Sequence, residues 1–80
     1  MKKESTILFF GQITDHTYVD HEEMDIDQVT VEEFNKVLET KYPGLKHVFY
    51  QVSVNQAIKS SDYIIEKGSE IAILPQFSGG

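Results

Sequence analysis

This 80-residue sequence contains no cysteine, and its seven basic residues are all lysines. Without cysteine there is no disulfide to staple so small a domain, no thiolate zinc site and no internal thiol nucleophile. That composition suits a reducing compartment, and a cytoplasmic location is expected. Long apolar runs are also missing. Near the start only Ile7 to Phe10 is apolar, too short for a signal-peptide core or a membrane span, so no membrane partner is expected. Positive charge is scarce: 13 acidic residues against seven basic ones leave a net charge of −6, which repels phosphate backbones and argues against nucleic acid as a partner. A basic protein surface is the better match. With 40% hydrophobic residues, the length allows one domain over residues 1–80 and a modest core.

What is present reads as short strands around one helix. Ser5 to Phe10 is β-branched and aromatic and ends at Gly11, the pattern of a strand buried on both faces, with Ile7 and Phe9 on one side and Leu8 and Phe10 on the other. From Asp15 to Asp27 six carboxylates and no lysine predict a polar loop leading into a charged edge strand, which discourages sheet-to-sheet association. His16, Asp20, His21, Glu22, Glu23 and Asp25 could in principle ligate a metal, but their spacing does not match a calcium loop, and no metal site is predicted. Thr30-Val-Glu-Glu33 predicts a capping box opening a helix over Val31 to Tyr42, with Val31, Phe34, Val37, Leu38 and Tyr42 as its core stripe and Tyr42-Pro43-Gly44 as its stop. Val48 to Asn55 alternates as a strand, Asn55-Gln56 is turn-prone, and Ala57-Ile58 can return as a short strand. Tyr63-Ile64-Ile65 offers a small apolar anchor, and Lys67-Gly68-Ser69 turns into a last strand, Ile71 to Leu74, apolar on both faces.

The two most apolar strands thus lie at opposite ends of the domain. Double-sided burial places them side by side in the middle of a sheet, parallel, with the helix in the crossover. The predicted fold class is α+β, a β-grasp or ubiquitin-like domain whose mixed sheet is covered on one face by one main helix. After the last strand a flexible tail over residues 75–80, Pro75-Gln-Phe-Ser-Gly-Gly80, is predicted to leave the sheet at Pro75 because proline lacks the amide a central strand needs. Glycines without Cβ can thread a narrow channel. Such an end is either a frayed terminus or the presentation of a reactive group, the main-chain carboxylate of Gly80.

Ile7-Leu-Phe-Phe10-Gly-Gln, Thr30-Val-Glu-Glu-Phe, Tyr42-Pro-Gly-Leu45, Val54-Asn-Gln56, Lys67-Gly-Ser-Glu-Ile-Ala-Ile-Leu-Pro75 and Ser78-Gly-Gly80 together resemble the MoaD/ThiS sulfur-carrier family, in particular the small subunit of molybdopterin synthase. The motifs fall in the family's order over nearly the whole chain. Gln76 and Phe77 depart from the family's usual tail, and Ile13-Thr14-Asp15 stand where basic residues are common. The resemblance implies a chain that is no enzyme on its own and binds no cofactor. An ATP-dependent E1-like activating enzyme would adenylate Gly80, a persulfide donor would convert it to a thiocarboxylate, and the large synthase subunit, in a heterotetramer, would receive Pro75, Phe77, Ser78 and Gly79 in a channel. There sulfur would pass to cyclic pyranopterin monophosphate. Phe10, Ile58 and Leu74 match partner-contacting positions of the family, and parity agrees, since one helix covers only one sheet face. The alternatives are a thiazole-synthesis carrier, a ubiquitin-like modifier using the same carboxylate, and a plain β-grasp binding module.

Overall fold

Alternation along the first strand orients the whole molecule. In the computed structural model, which describes residues 4–76, β1 (Ser5–Phe9) buries Ser5, Ile7 and Phe9 and leaves Thr6 and Leu8 only half-buried. β7 (Glu70–Pro75) repeats the pattern: Ile71 and Ile73 are buried, while Ala72 and Leu74 are half-buried. The two strands pair in parallel, Ile7 beside Ile71 and Phe9 beside Ile73. Five strands form the main sheet in the order β2-β1-β7-β4-β5, with β2 (His21–Met24), β4 (Tyr50–Val54) and β5 (Ala57–Ile58) each joined antiparallel. The expected burial of both faces of the central strands is corrected here. Only the side carrying Ile7, Phe9, Ile71 and Ile73 is closed, because the domain has one long helix to lay over it.

That helix, α2 (Val31–Lys41), starts at the predicted box. Thr30 Oγ1 accepts from the Glu33 amide at 3.1 Å, and Glu33 Oε1 accepts from the Thr30 amide at 2.9 Å. Two further first-turn amides are taken by the 61–63 segment, Val31 N–H donating to the Tyr63 carbonyl and Glu32 N–H to that of Ser61. This is possible because β3 (Val29–Thr30) pairs with β6 (Ile64–Ile65), a small second sheet that two-residue strands hide from any periodicity reading. Val31, Phe34 and Leu38 enter the core with Ile13, Ile26, Leu45, Val52, Val54 and Ile65. Val37, predicted as core, is exposed instead. It borders an open groove of about 410 Å³ between α2 and the β2 segment, floored by Met24, Ile26, Val29 and Phe34.

Other boundaries move by a residue or two. The helix ends at Lys41, β4 begins at Tyr50 rather than Val48, and the expected polar loop holds one helical turn, α1 (Thr14–Thr17), with Thr17 buried. Asn55 and Gln56 make the tight β4–β5 turn with φ of 51° and 73°, the left-handed pair that a two-residue hairpin requires. No helix among the described residues is long and apolar enough to cross a membrane.

The acidic edge strand is tied to the end of α2 by one cluster. Glu22 accepts hydrogen bonds from Lys41 Nζ and the Tyr42 hydroxyl, and the Tyr42 ring meets Phe9 edge-on at 5.7 Å. Burial pushes the Glu22 carboxyl up, but the Lys41 and Tyr42 hydrogen bonds and the Lys41 charge outweigh it, so its pKa lies below 4.5. Burial, reinforced by Glu22, raises the Tyr42 phenol from 10.0 to about 12. A depressed carboxyl contributes stability above its ordinary pKa and loses it as pH falls; a raised phenol contributes below 10.0 and loses it as pH climbs towards about 12. Glu22→Gln should therefore flatten the acid limb of a stability–pH profile and shrink the alkaline one. Urea midpoints across both limbs check this, and unchanged limbs would show the cluster to be energetically silent.

Candidate functional site

On the face away from α2, strand register sorts side chains into rows. His21, Leu8, Ala72, Ser53 and Ile58 stand side by side across the five strands. One row nearer the end of β7, Leu74 lies beside Gln51. Phe10 joins that row, since its backbone stays extended at φ −114° and ψ 148° and its amide donates to the Ile73 carbonyl at 3.2 Å. The structure thus places Phe10, Leu74 and Ile58 on one open face, in adjacent rows. Phe10 is 46% exposed, Ile58 57%, and Leu74 is half-buried. This apolar band is left uncovered by the rest of the described chain.

Sequence reading missed Phe49. It is 83% exposed, and its carbonyl accepts from the Gln76 amide at 3.2 Å, which extends the β4–β7 ladder one pair beyond Tyr50–Pro75. Alternation back from Tyr50 puts Phe49 on the same face as Gln51. The signal was available, because residue 49 has the parity of 51 and 53, but a strand thought to begin at Val48 gave no reason to single it out.

The predicted exit at Pro75 is also corrected. Pro75 belongs to β7, opposite Tyr50, and the ladder holds through Gln76. Proline fits there for a local reason. On β7 the even residues bond towards β4, as Glu70 and Gln76 do with Asn55 and Phe49, so the Pro75 nitrogen faces β1. β1 has already ended. The Phe10 carbonyl, which an amide at 75 would reach, accepts instead from Ile13 N–H at 3.1 Å. Gly11 makes that turn with φ +57°, which favours glycine, and a Cβ on it would crowd Pro75 Cγ at 3.2 Å. Phe77, Ser78, Gly79 and Gly80 lie outside the described residues.

Among the described residues no three His, Asp or Glu side chains converge where a metal ion could be held. His21 is paired with its neighbour Asp20 at 2.8 Å, His16 lies against Gly44, and Glu22 is committed to Lys41 and Tyr42. What the described part presents is an uncovered apolar face that runs up to Gln76.

A model of the ThiS family matches residues 7–80, a span that takes in the tail and its two glycines. The chain belongs to the ThiS family. Solved structures agree on its ubiquitin-like β-grasp fold. A putative molybdopterin converting factor, subunit 1, from Pyrococcus furiosus superposes with a TM-score of 0.84 at 15% identity, covering 92% of this ThiS-family chain and 98% of that one. Small archaeal modifier protein 1 of Haloferax volcanii gives 0.79 at 19% identity, covering 92% and 98%. A chain of the BexX/CysO complex from Amycolatopsis orientalis gives 0.69 at 22% identity, covering 95% and 99%.

The two faces of β7 should separate cleanly by mutation. Ile73→Ala opens a cavity in the ThiS-family core and should cost about 2–5 kcal/mol. Leu74→Ala, one residue on and facing out, should cost about 1 kcal/mol or less. Urea denaturation of both variants measures this, and equal losses would mean that Leu74 is a core residue.

Proposed function

We propose that this chain is a sulfur carrier for molybdenum cofactor biosynthesis, with its cargo on the carboxylate of Gly80. The supporting observation is the family match running through residue 80, so that Gly79 and Gly80 fall inside the matched span. A carboxylate is a poor electrophile. Adenylation by an ATP-dependent activating enzyme releases pyrophosphate and leaves an acyl-adenylate with AMP as leaving group. The terminal sulfur of a donor persulfide attacks that acyl carbon and expels AMP. A second thiol then cleaves the resulting acyl disulfide, ends as a disulfide with the donor, and leaves the thiocarboxylate on Gly80. Its sulfur is nucleophilic.

In this reading the open face carrying Phe10, Leu74 and Ile58 docks on the activating enzyme and then on the large subunit of molybdopterin synthase. Pro75, Phe77, Ser78 and Gly79 belong to the tail that threads the partner's channel and brings the thiocarboxylate to cyclic pyranopterin monophosphate. The pocket for that chemistry lies in the partner. One other reading draws on the fold shared with small archaeal modifier protein 1: a ubiquitin-like modifier would use the same Gly80 carboxylate, with lysine as acceptor.

Intact mass after co-expression with the activating enzyme separates the two. Replacement of one oxygen by sulfur at Gly80 marks a carrier, whereas conjugates of higher mass mark a modifier. Deleting Gly80, adding one residue after it, or Gly79→Val should abolish loading without shifting the denaturation midpoint, because a channel fitted to this end cannot take a displaced or branched one. Undiminished thiocarboxylate on the extended chain would refute the proposal.

A further inference from the structure

β2 ends the main sheet, so among the described residues one of its edges pairs with β1 and no strand pairs with the other. The bond from Phe9 N–H to the Asp20 carbonyl at 2.9 Å fixes which backbone groups are spare. By the antiparallel register, Asp20, Glu22 and Met24 turn their amides and carbonyls to β1, while His21 and Glu23 turn theirs outward. The same parity sets the Glu22 and Met24 side chains on the α2 side, with Ser5 and Ile7, and those of His21 and Glu23 on the open side. Alongside this edge runs the groove of about 410 Å³ between β2 and α2, whose apolar lining is Met24, Ile26, Val29, Phe34 and Val37. Val37 is 57% exposed there. A row of outward backbone donors and acceptors beside an apolar trough is what an added strand completes, with its main chain on the edge and alternate side chains in the trough.

Charge selects the occupant. Glu22, Glu23, Asp25 and Glu33 border the groove against a single lysine, Lys41, and that lysine is already bonded to Glu22. A second copy of this chain, itself at −6, would set one acidic β2 against another, and like charges across a strand pair oppose pairing. We propose that the β2 edge and its groove take an extended basic segment of a partner protein as a sixth strand. Its apolar side chains fill the groove, and its alternate lysines or arginines lie on the open side beside Glu23. This site stands on the α2 side of the sheet edge, apart from Phe10, Leu74 and Ile58, and it does not depend on the carrier reading.

The probe is a short blocked peptide of alternating valine and lysine, titrated into the full chain and followed by amide NMR spectra. Binding should slow hydrogen exchange at the His21 and Glu23 amides, move the Met24 and Val37 signals, and weaken as salt is raised. Two control peptides should not bind: one with glutamate in place of lysine, and one N-methylated throughout, which cannot pair as a strand. Val37→Lys fills the groove with a charge at an exposed helix position, so it should keep the urea midpoint yet lower affinity roughly tenfold or more. Should that variant fail to fold, Glu23→Lys on the exposed edge carries the same test. The proposal is overturned by a lysine peptide that does not bind, by a control peptide that binds equally well, or by full affinity in the folded variants. Slowed exchange at Ala57 and Ile58, on the sheet's other edge, in place of His21 and Glu23 also overturns it. Self-association of the chain that Val37→Lys abolishes would give the groove to a second copy and count against a partner.

Discussion

Parallel pairing of β1 with β7 is the constraint from which the rest of this structure follows. It sets Ile7 beside Ile71 and Phe9 beside Ile73, so the two ends of the described chain share one core. Parallel neighbours cannot be joined by a hairpin, and the crossover must carry enough chain to return to the same edge. Here it carries α2, whose Val31, Phe34 and Leu38 cover the isoleucines of both strands' closed side. Antiparallel β2 and β4 then flank the pair, and the smaller β3–β6 sheet fastens the helix start by taking two of its free amides.

One helix over a five-stranded sheet leaves a face unpaired, and the central strands show how this chain lives with that. Along β7 the buried positions are Ile71 and Ile73, while the intervening positions are a small residue, Ala72, and a half-buried Leu74. Acidic groups limit self-association on that side: Glu23 stands on the edge strand and Glu70 at the start of β7. Towards the tail the same face becomes aromatic, with Phe10 and Phe49 in neighbouring rows. Apolar character therefore rises along the open face from the start of β7 towards its end.

Much of this was legible in the residues. Thr30 and Glu33 announce the helix start because capping is a local, sequence-spaced interaction, and Asn55-Gln56 announce a hairpin for a similar reason. Parity alone put Leu8 and Phe10 opposite Ile7 and Phe9. The failures share a physical cause, which is that they depend on what lies across space. Val37 fits the apolar stripe as well as Phe34 does, yet the groove beside β2 leaves it uncovered. Two-residue strands such as Val29–Thr30 and Ile64–Ile65 carry no period and exist only because they find each other. Tyr18 in a left-handed turn could not be foreseen, since tyrosine disfavours that conformation and only the Thr14 and Thr17 bonds impose it. Double-sided burial was inferred from apolar residues on both faces, but composition cannot distinguish a face covered within the chain from one intended for another protein.

The junction of Gly11 with Pro75 shows how fold and proposed function meet without competing. β7 has to be held firmly up to the point where the tail begins, or the docking face and the chain end would move independently. Proline at 75 forfeits an amide only on the side where β1 has already turned away, while the Gln76 amide keeps its bond to Phe49 on the other side. Gly11, by making that turn with φ +57° and no side chain, leaves room for the Pro75 ring, which a Cβ would crowd at 3.2 Å. The sheet is thus secured on the β4 side through residue 76 and terminated on the β1 side at residue 10. An end built in this way fixes Gln76, the last described residue, relative to Phe10, Leu74 and Phe49.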